Sequence, residues 1–516
     1  GSEPYLHSIG VRGEVTHRDA ILITYGDQFR APGEAPLRTL AGFAQRHLDG
    51  LISAIHILPF YPYSSDDGFS VSDYRAVDPQ ADLSRVVRPR ALPLLTRFDT
   101  PSGPRHVWTT FSADQVDLNY ANPDVLLEIV DLLLFYVSKG AQFIRLDAIA
   151  YLWKQIGTPC LHLPQTHRVI QLLRAVLDEV APHVALITET NVPHADNIFY
   201  FGDGSDEAQM VYNFALPPLV LHAFHTGDAR ILSRWAADLT RPDGFREAPR
   251  SEAERAKPVG SSRTTFFNFL ASHDGVGLNP ARGILPDAGI DALVERALAH
   301  GGFVSMKNNP DGARSPYELN VNYFDALSDP CEGSEPSQGL AVDRFMCAQA
   351  IMLALAGVPG IYVHSLLGSR GWPDGVQQTG RYRAINRQKF ELASLEAELD
   401  DATSLRSKVF NRYAALLRAR ASHAAFDPYG NQSVIEAGAS VFALLRTART
   451  RGESVVCLHN VAAQPRPVDI KLDASGHVAS DLLSGRIFRV ASGGQLRLQL
   501  DPYQVLWLNV IEQFMA

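Results

Sequence analysis

Two charged residues interrupt an apolar run at residues 142–154, which reads "QFIRLDAIAYLWK". The run predicts a short buried strand, because strands of parallel sheets are near-continuous hydrophobic stretches. A carboxylate in such a strand must be paired or lie at its open end, since burying an unpaired charge is very costly. Arg145 and Asp147 are two residues apart, so on a strand their side chains share one face. We therefore predict an Arg145–Asp147 pair at a strand end.

Two further strand ends carry acidic residues. Glu189 follows the apolar run at 184–188, and His273 and Asp274 follow another at 264–271. In a barrel, the carboxyl ends of the strands converge on one mouth. Two carboxyls about 5–5.5 Å apart there perform retaining glycosyl transfer, one as nucleophile and one as proton donor. Strand-end carboxylates can also be helix caps or surface ion pairs, but three together favour catalysis.

The roles of the acids follow from their neighbours in the sequence. Arg145 favours the ionised form of Asp147, which suits a nucleophile. Glu189 follows an apolar strand and has no adjacent cation in the sequence, so it is the better proton donor. We predict this division of roles between Asp147 and Glu189.

Short strand-like runs alternate with helical periodicity along most of the chain. The strand candidates are residues 20–25, 52–60, 143–149, 184–190, 209–216, 264–274 and 357–364. This alternation predicts parallel βα units and an α/β fold. The number in series favours a (β/α)₈ TIM barrel with inserted loop subdomains over a doubly wound sheet, and no G-x-G-x-x-G follows the first strand.

The pattern predicts two domains. Residues 1–427 form the catalytic barrel, and residues 428–516, where short alternating runs follow one another, form a small C-terminal antiparallel β domain. Within the barrel we predict a subdomain remnant near 78–112, a polar surface insertion at 240–262 and an active-site loop region at 302–341.

Composition narrows the functional classes. The net charge of −9 argues against a nucleic-acid partner. No apolar run reaches the roughly 18–20 residues that span a membrane. The four cysteines are widely spaced, without C-x-x-C, and no secretory signal pattern opens the sequence, so we expect a reduced, cytoplasmic protein.

Several motifs resemble those of a known enzyme family. "RLDAIA", "ITETN" and "FLASHD" resemble the fourth, fifth and seventh strand motifs of the α-amylase superfamily, glycoside hydrolase family 13. "HILPFYPYSSDDGFSVSDY" resembles the second-strand motif of its sucrose phosphorylase branch. Within that branch, "GTPCLHLPQTH", "FLASHDGVGLNPARG" and "SPYELNVNYFDAL" are most similar to glucosylglycerate phosphorylases. The resemblance covers nearly the whole chain and implies the barrel fold and a retaining mechanism.

The resemblance also implies roles for residues at matching positions. Asp147 is implied as nucleophile, Glu189 as general acid/base and Asp274 as transition-state stabiliser. Asp66 and its partner Arg383 are implied to hold the 4-hydroxyl of the glucosyl unit, and Phe69 to pack on the sugar. His273, beside Asp274, and Arg145 are further implied substrate-binding residues.

A phosphorylase must also bind anions. Arginine suits this task because it is permanently charged and forks onto two oxygens. Arg105 and Tyr317 match the residues that contact phosphate in sucrose phosphorylases, and Glu318 stands where those enzymes have Gln. The carboxylate of a glycerate acceptor would need another cation, and the candidates on loops expected near the barrel mouth are Arg314, Arg370 and His162.

The implied reaction is reversible phosphorolysis of 2-O-α-D-glucosyl-D-glycerate to α-D-glucose 1-phosphate and D-glycerate by double displacement. Phosphate is the co-substrate, and we expect no metal, no organic cofactor and no nucleic-acid or membrane partner. His162 and His167 could suggest a metal pair, but no carboxylate lies at ligand spacing from them in the sequence. The sequence does not determine the oligomeric state.

Other functions stay open at this point. The protein could instead be a phosphorylase of sucrose, sucrose 6′-phosphate or glucosylglycerol, or it could be a plain α-glucosidase or transglucosidase. An inactive, amylase-like binding module belongs to a different class, and the intact Asp147, Glu189 and Asp274 disfavour it.

One family feature is absent. The third-strand motif, Asp-x-x-x-Asn-His, does not occur, and an eighth barrel strand is not evident. Family members have on the order of sixty residues between the positions of Val77 and Asp78, enough for a strand, a helix and their connections. Either the native protein carries a segment that this sequence lacks, or the segment is truly deleted. An intact mass of 56.6 kDa would exclude the first explanation.

Overall fold

The computed structural model describes residues 14–59, 86, 94–101, 103–239, 264–309, 313–331, 335–449, 453–472 and 478–511. Asp66 and Phe69, and the insertion predicted at 240–262, lie outside these residues.

The strands, in chain order, are β1 Ile21–Thr24, β2 Phe29–Arg30, β3 Ala54–Ile57, β4 Leu95–Thr100, β5 Gly103–Trp108, β6 Phe143–Leu146, β7 Ala185–Thr188, β8 Met210–Tyr212, β9 Thr265–Asn268, β10 Val276–Gly277, β11 Phe303–Asn308, β12 Arg314–Asn320, β13 Val358–Tyr362, β14 Phe390–Glu391, β15 Asn431–Val434, β16 Val441–Thr447, β17 Ser454–Asn460, β18 Arg466–Lys471, β19 Val478–Asp481, β20 Ile487–Arg489, β21 Gln495–Leu500 and β22 Val505–Ile511.

The α-helices, in chain order, are α1 Pro36–Phe43, α2 Pro123–Ser138, α3 Pro164–Val180, α4 His194–Asn197, α5 Leu216–Thr226, α6 Arg230–Asp238, α7 Asp287–Ala299, α8 Tyr323–Leu327, α9 Glu335–Ala354, α10 Val363–Leu366, α11 Pro373–Thr379, α12 Leu392–Asp400 and α13 Leu405–Ala421.

The seven strands predicted from the sequence form one parallel sheet in the order β3-β1-β13-β9-β8-β7-β6. This sheet is curled. Tyr212 on β8 places its hydroxyl 3.4 Å from Nδ1 of His56 on β3. In a flat sheet, strands four places apart would be separated by about 19 Å. The sheet is therefore a nearly closed barrel, and the predicted (β/α)₈ fold is confirmed.

The barrel is open between β3 and β6. Among the described residues, no strand pairs with the outer edge of either one. Side chains near this opening are more exposed than barrel residues usually are: Ile55 on β3 is 38% exposed, and Leu127 on α2, the helix that leads into β6, is 64% exposed. The opening lies where the third strand in sequence would belong, which is the strand that the sequence lacks.

The helices between barrel strands bury one face each. In α3, the buried apolar residues Val169, Ile170, Leu173 and Leu177 recur at helical spacing. Pro164 occupies the first turn, where a missing amide donor costs nothing. This packing holds β6 and β7, on either side of α3 in the chain, at a fixed spacing. None of the helices in the described ranges is long and apolar enough to cross a bilayer.

Antiparallel sheets follow the barrel. Six strands pair in the order β15-β16-β17-β22-β19-β20, and β18 pairs with β21. Alternate residues of β18 are buried, Val468 and Ile470 among them, which agrees with a strand that covers a core with one face.

Arg446 on β16 joins this sheet to the barrel. Its side chain is fully buried. Its guanidinium donates to the carbonyl oxygens of Ala354 at 2.6 Å, Asp427 at 2.7 Å and Asn431 at 3.3 Å. Buried carbonyls without donors are costly, so one side chain satisfies three groups where α9 ends.

We expect Arg446→Met to lower the free energy of unfolding by about 3–5 kcal/mol, because the buried carbonyl of Ala354 and the partly buried carbonyls of Asp427 and Asn431 each lose a donor. Denaturant unfolding followed by circular dichroism measures this loss. Arg497→Met, at a side chain that is 77% exposed, is the matched control and should change stability little. Equal midpoints for both variants would contradict the assignment.

Candidate active site

The end of β6 carries the predicted ion pair. Arg145 Nη1 lies 2.5 Å from Asp147 Oδ1. Arg145 is 9% exposed whereas Asp147 is 52% exposed. The arginine is thus held in the barrel interior, and the carboxylate faces the open mouth, where a substrate can reach it. The nearby carboxylates, first that of Asp147, outweigh burial and raise the pKa of Arg145 further above its usual range.

The next residue links two of the acids. Ala148 adopts a left-handed conformation with φ of 46°, which turns the chain sharply after Asp147. Its amide donates to Glu189 Oε2 at 2.9 Å. Because β6 and β7 are parallel neighbours, with Arg145 opposite Ile187, the ends of both strands meet here. One peptide unit therefore fixes the acid of β7 beside the acid of β6.

Glu189 has no cation beside it in the sequence, but it does have one nearby in space. Arg145 Nη2 lies 3.7 Å from Glu189 Oε2, because the parallel register brings the arginine across from the neighbouring strand. Burial nevertheless raises the pKa of Glu189 to about 7; Arg145 opposes this shift, and the charges of Asp147 and Asp274 add to it. Glu189 can therefore hold a proton near neutral pH, as a proton donor must.

Asp274 lies in a cationic setting. Its Oδ1 is 2.5 Å from Arg383 Nη1, 3.8 Å from Arg387 Nη2 and 3.5 Å from His273 Nε2. Burial, followed by the charges of Arg387 and Arg145, holds the pKa of His273 well below its usual range. His273 is therefore a neutral hydrogen-bonding group, and the arginines carry the positive charge around Asp274.

Arg383 is shared between two acids. It donates to Glu318 through Nε at 3.0 Å and Nη2 at 2.6 Å, while its Nη1 faces Asp274. Glu318 is 1% exposed and also accepts from Asn320 at 2.6 Å. A buried carboxylate held on several donors is a firm anchor for the guanidinium.

A β-bulge places Tyr317 beside Glu318. In the β11–β12 pair, Ser305 is opposite Glu318, but Met306 is opposite Pro316, so Tyr317 is an extra residue on β12. A bulge breaks the strict alternation of side chains and redirects one of them. Tyr317 and Glu318 are neighbours in the sequence. Because of the bulge, Tyr317 can face the cleft while Glu318 contacts Arg383.

These groups surround one cleft of about 600 Å³, counted to its open mouth. It is lined by Phe111, Gln115, Asp147, Ala148, Tyr151, Glu189, Thr190, Asn191, His273, Asp274, Tyr317 and Arg383. Phe111 and Tyr151 meet edge to face with ring centroids 5.4 Å apart and form an aromatic wall near Asp147. Sequence reasoning did not single out these two aromatic residues or Asn191; their proximity to the ends of β5, β6 and β7 was the available signal.

The structure brings the predicted acids, Arg145, His273, Arg383 and Tyr317 together, whereas other predicted residues lie apart. Arg105 is exposed on β5, opposite Phe98, and Arg314 is exposed at the start of β12. Arg370 forms an ion pair with Asp325. None of these three is among the described residues that line the cleft.

His162 supports the loop behind the cleft. Its Nδ1 lies 2.8 Å from the Tyr200 hydroxyl, and its amide donates to the Ala150 carbonyl at 3.1 Å. Burial lowers its pKa, so it is a neutral imidazole. His167 pairs instead with Glu207 at 2.9 Å, a carboxylate distant in sequence. Within the described ranges, no group of three or more His, Cys, Asp or Glu residues could hold a metal ion.

Comparisons with known proteins agree with this geometry. A profile of the α-amylase catalytic domain matches residues 104–242. The chain is 47% identical to the glucosylglycerate phosphorylase of Spirochaeta thermophila, over 96% of this chain and 90% of that protein. The chain belongs to the glucosylglycerate phosphorylase family. The glucosylglycerate phosphorylase of Escherichia coli is also similar, at 43% identity over 95% of this chain and 92% of that protein.

The fold of this glucosylglycerate phosphorylase family member extends to more distant enzymes. The crystal structure of sucrose 6F-phosphate phosphorylase from Thermoanaerobacter thermosaccharolyticum matches with a TM-score of 0.69 at 18% identity, covering 96% of this chain and 100% of that one. The Spirochaeta alignment runs over 552 positions, whereas 96% of 516 residues is about 495, so about 57 positions have no counterpart in this chain. That number matches in size the segment expected between Val77 and Asp78.

Proposed function

We propose that this protein catalyses the reversible phosphorolysis of 2-O-α-D-glucosyl-D-glycerate to α-D-glucose 1-phosphate and D-glycerate. The observation that carries this proposal is the 43–47% identity to three glucosylglycerate phosphorylases across nearly the whole chain. The cleft supports it, because two linked acids and a third acid held by an arginine are the groups that retaining glucosyl transfer requires.

In the first step, Asp147 attacks the anomeric carbon from the β face as Glu189 gives its proton to the glycerate oxygen. The glycosidic bond breaks, and a β-glucosyl ester on Asp147 remains. The ion pair with Arg145 presents Asp147 as a carboxylate, and the raised pKa of Glu189 supplies the proton. Asp274, oriented by Arg383, would contact hydroxyls of the sugar as charge develops at the ring.

In the second step, a phosphate oxygen attacks the same carbon from the α face and releases Asp147. Glu189 takes up the proton that phosphate loses, which restores the starting state. Tyr317 lines the cleft, which supports its proposed role as a phosphate contact. Arg105 remains a proposed phosphate contact that would have to approach from the β4–β5 hairpin.

We further propose that the reaction needs neither a metal nor an organic cofactor, since the two acids supply both the nucleophile and the proton. The substrates would then be a small sugar and phosphate. A cytoplasmic location is favoured by four cysteines that all remain free thiols.

Phosphate release from α-D-glucose 1-phosphate tests the proposal, with D-glycerate, glycerol, fructose and fructose 6-phosphate as parallel acceptors. Strong release with D-glycerate is the expected result. Preference for another acceptor would agree with the proposed mechanism but would show that the natural substrate is a different glucoside. Release of glucose without any acceptor would indicate a hydrolase instead, and a folded protein that is inactive with all four acceptors would be a binding module.

A further inference from the structure

Lys307, on β11, is a cation without an acidic partner among the described residues. Its Nζ donates to Asn279 Oδ1 at 2.9 Å. Across the described parts of the chain, no carboxylate lies within ion-pair distance of it. Burial, followed by the charge of Arg282, lowers the pKa of Lys307. A half-buried ammonium with one neutral partner has hydrogen-bonding capacity left for a ligand.

Strand geometry puts Lys307 on the cleft side of the β11–β12 hairpin. Ser305 is opposite Glu318, and its hydroxyl bonds Asn320, which bonds Glu318 in turn. Side chains two residues apart on a strand share a face, so Lys307 points to the same side as Ser305. Arg314 pairs with Asn308 and therefore points to the opposite side. Lys307 therefore shares a face of the hairpin with Glu318, whereas Arg314, one of the three acceptor candidates from the sequence, lies on the other face.

The neighbours of Lys307 adjoin the cleft wall, although Lys307, Asn279 and Arg282 are not among the described residues that line the cleft. Asn279 comes two residues after Gly277, and a Cβ added to Gly277 would lie 2.6 Å from Oδ1 of Asn191, which lines the cleft. Arg282 Nη2 donates to the carbonyl of Pro316 at 3.2 Å, immediately before Tyr317, another lining residue. Arg282 Nε is buried and has no hydrogen-bond partner among the described residues. Both cations are therefore bonded to segments that lead directly to the cleft wall.

The charges elsewhere in the cleft are already balanced. Arg145 faces Asp147 and Glu189, and Arg383 faces Asp274 and Glu318. An anionic acceptor would gain little from arginines that already pair with acids, whereas neither Lys307 nor Arg282 pairs with an acid in the described part of the chain. A carboxylate is well matched to an ammonium and a guanidinium that lie side by side.

We propose that Lys307, with Arg282 beside it, binds the carboxylate of the acceptor at the Tyr317 edge of the cleft. The inference rests on the proposed function, in which the acceptor is D-glycerate. Lys307 would then select glycerate over glycerol, which has the same three carbons and lacks the carboxylate.

The test compares Lys307→Gln and Lys307→Arg with the unchanged protein in the synthetic direction, using D-glycerate and glycerol as acceptors. Lys307→Gln should raise KM for D-glycerate about 10- to 100-fold, because one charge-assisted hydrogen bond is lost. Its rate with glycerol and its KM for phosphate in phosphorolysis should stay within about twofold. Lys307→Arg should recover most of the glycerate affinity. Lys471→Gln, at an exposed lysine on β18, is the matched control.

Each other outcome overturns the inference. A raised KM for phosphate with an unchanged KM for D-glycerate would make Lys307 a phosphate contact. An equal loss with both acceptors would make its role structural, and no change at all would place the acceptor elsewhere. If the unchanged protein does not use D-glycerate, the proposed function fails first, and that result is visible before any variant is compared.

Discussion

Asp147→Asn should lower the rate of phosphorolysis by about 10⁴-fold or more, because an amide cannot form the glucosyl ester through which both steps pass. The protein should remain folded, since Asp147 is half exposed at the end of β6. Initial rates with the natural disaccharide measure the loss. Asp131→Asn, at an exposed position on α2, is the matched control and should retain full activity.

Azide distinguishes the nucleophile from the acid/base by the anomer that it forms from α-D-glucose 1-phosphate. In Asp147→Gly, azide can enter the vacated space and displace phosphate directly, with inversion, giving β-glucosyl azide. In Glu189→Ala, the ester on Asp147 still forms and azide then displaces it, giving α-glucosyl azide. Exchanged anomers would mean that the two roles are reversed.

Glu189 should set a basic limb in the pH profile. Burial raises the pKa of Glu189 to about 7, so above pH 7 the proton donor is progressively lost. We expect kcat/KM for phosphorolysis to fall by about tenfold per pH unit above that point and to be insensitive to this group below it. Steady-state rates from pH 5 to 9 provide the measurement.

Glu189→Gln supplies the control for that limb. The variant should lose about 10³-fold in rate, and its remaining activity should no longer fall above pH 7, because the titrating proton is gone. A limb that persists in Glu189→Gln would assign the titration to another group. A limb near pH 5 in the unchanged protein would mean that Arg145, and not burial, dominates the pKa of Glu189.

The barrel was predictable from local sequence. Apolar runs such as 20–25 and 184–190 match β1 and β7 because parallel strands are buried on both faces and need continuous apolar residues. The Arg145–Asp147 pair was also predictable, because two residues separated by one position on a strand have their side chains on the same face. Both depend on neighbours in the sequence, and neither needs the tertiary fold.

Contacts that depend on register were not predictable. Arg145 reaches Glu189 only because β6 and β7 pair in parallel with Arg145 opposite Ile187. Tyr317 faces the cleft only because of an extra residue in β12. The spacing of residues along the sequence does not show which strands are neighbours or where a bulge occurs. Arg145 was therefore not recognised as the cation near Glu189.

Lys307, the proposed acceptor cation, was not predictable for the same reason. Lys307 and Arg314 lie in one predicted loop region, and their side of the hairpin depends on the pairing of β11 with β12. Residue type alone favoured the arginine, because its guanidinium suits a carboxylate. The antiparallel register instead places Lys307, and not Arg314, on the face of the hairpin that Glu318 shares.

The left-handed turn at Ala148 limits how this enzyme can vary. For a residue with a Cβ this conformation costs about 1–2 kcal/mol, and Gly, Asn or Asp adopt it more readily than Val, Ile or Thr. The same residue gives its amide to Glu189, so Pro would remove a donor from the acid/base. In a library that randomises the residues around Asp147, active variants should therefore contain few different amino acids at position 148. Related enzymes should likewise have only small or turn-forming residues at this position.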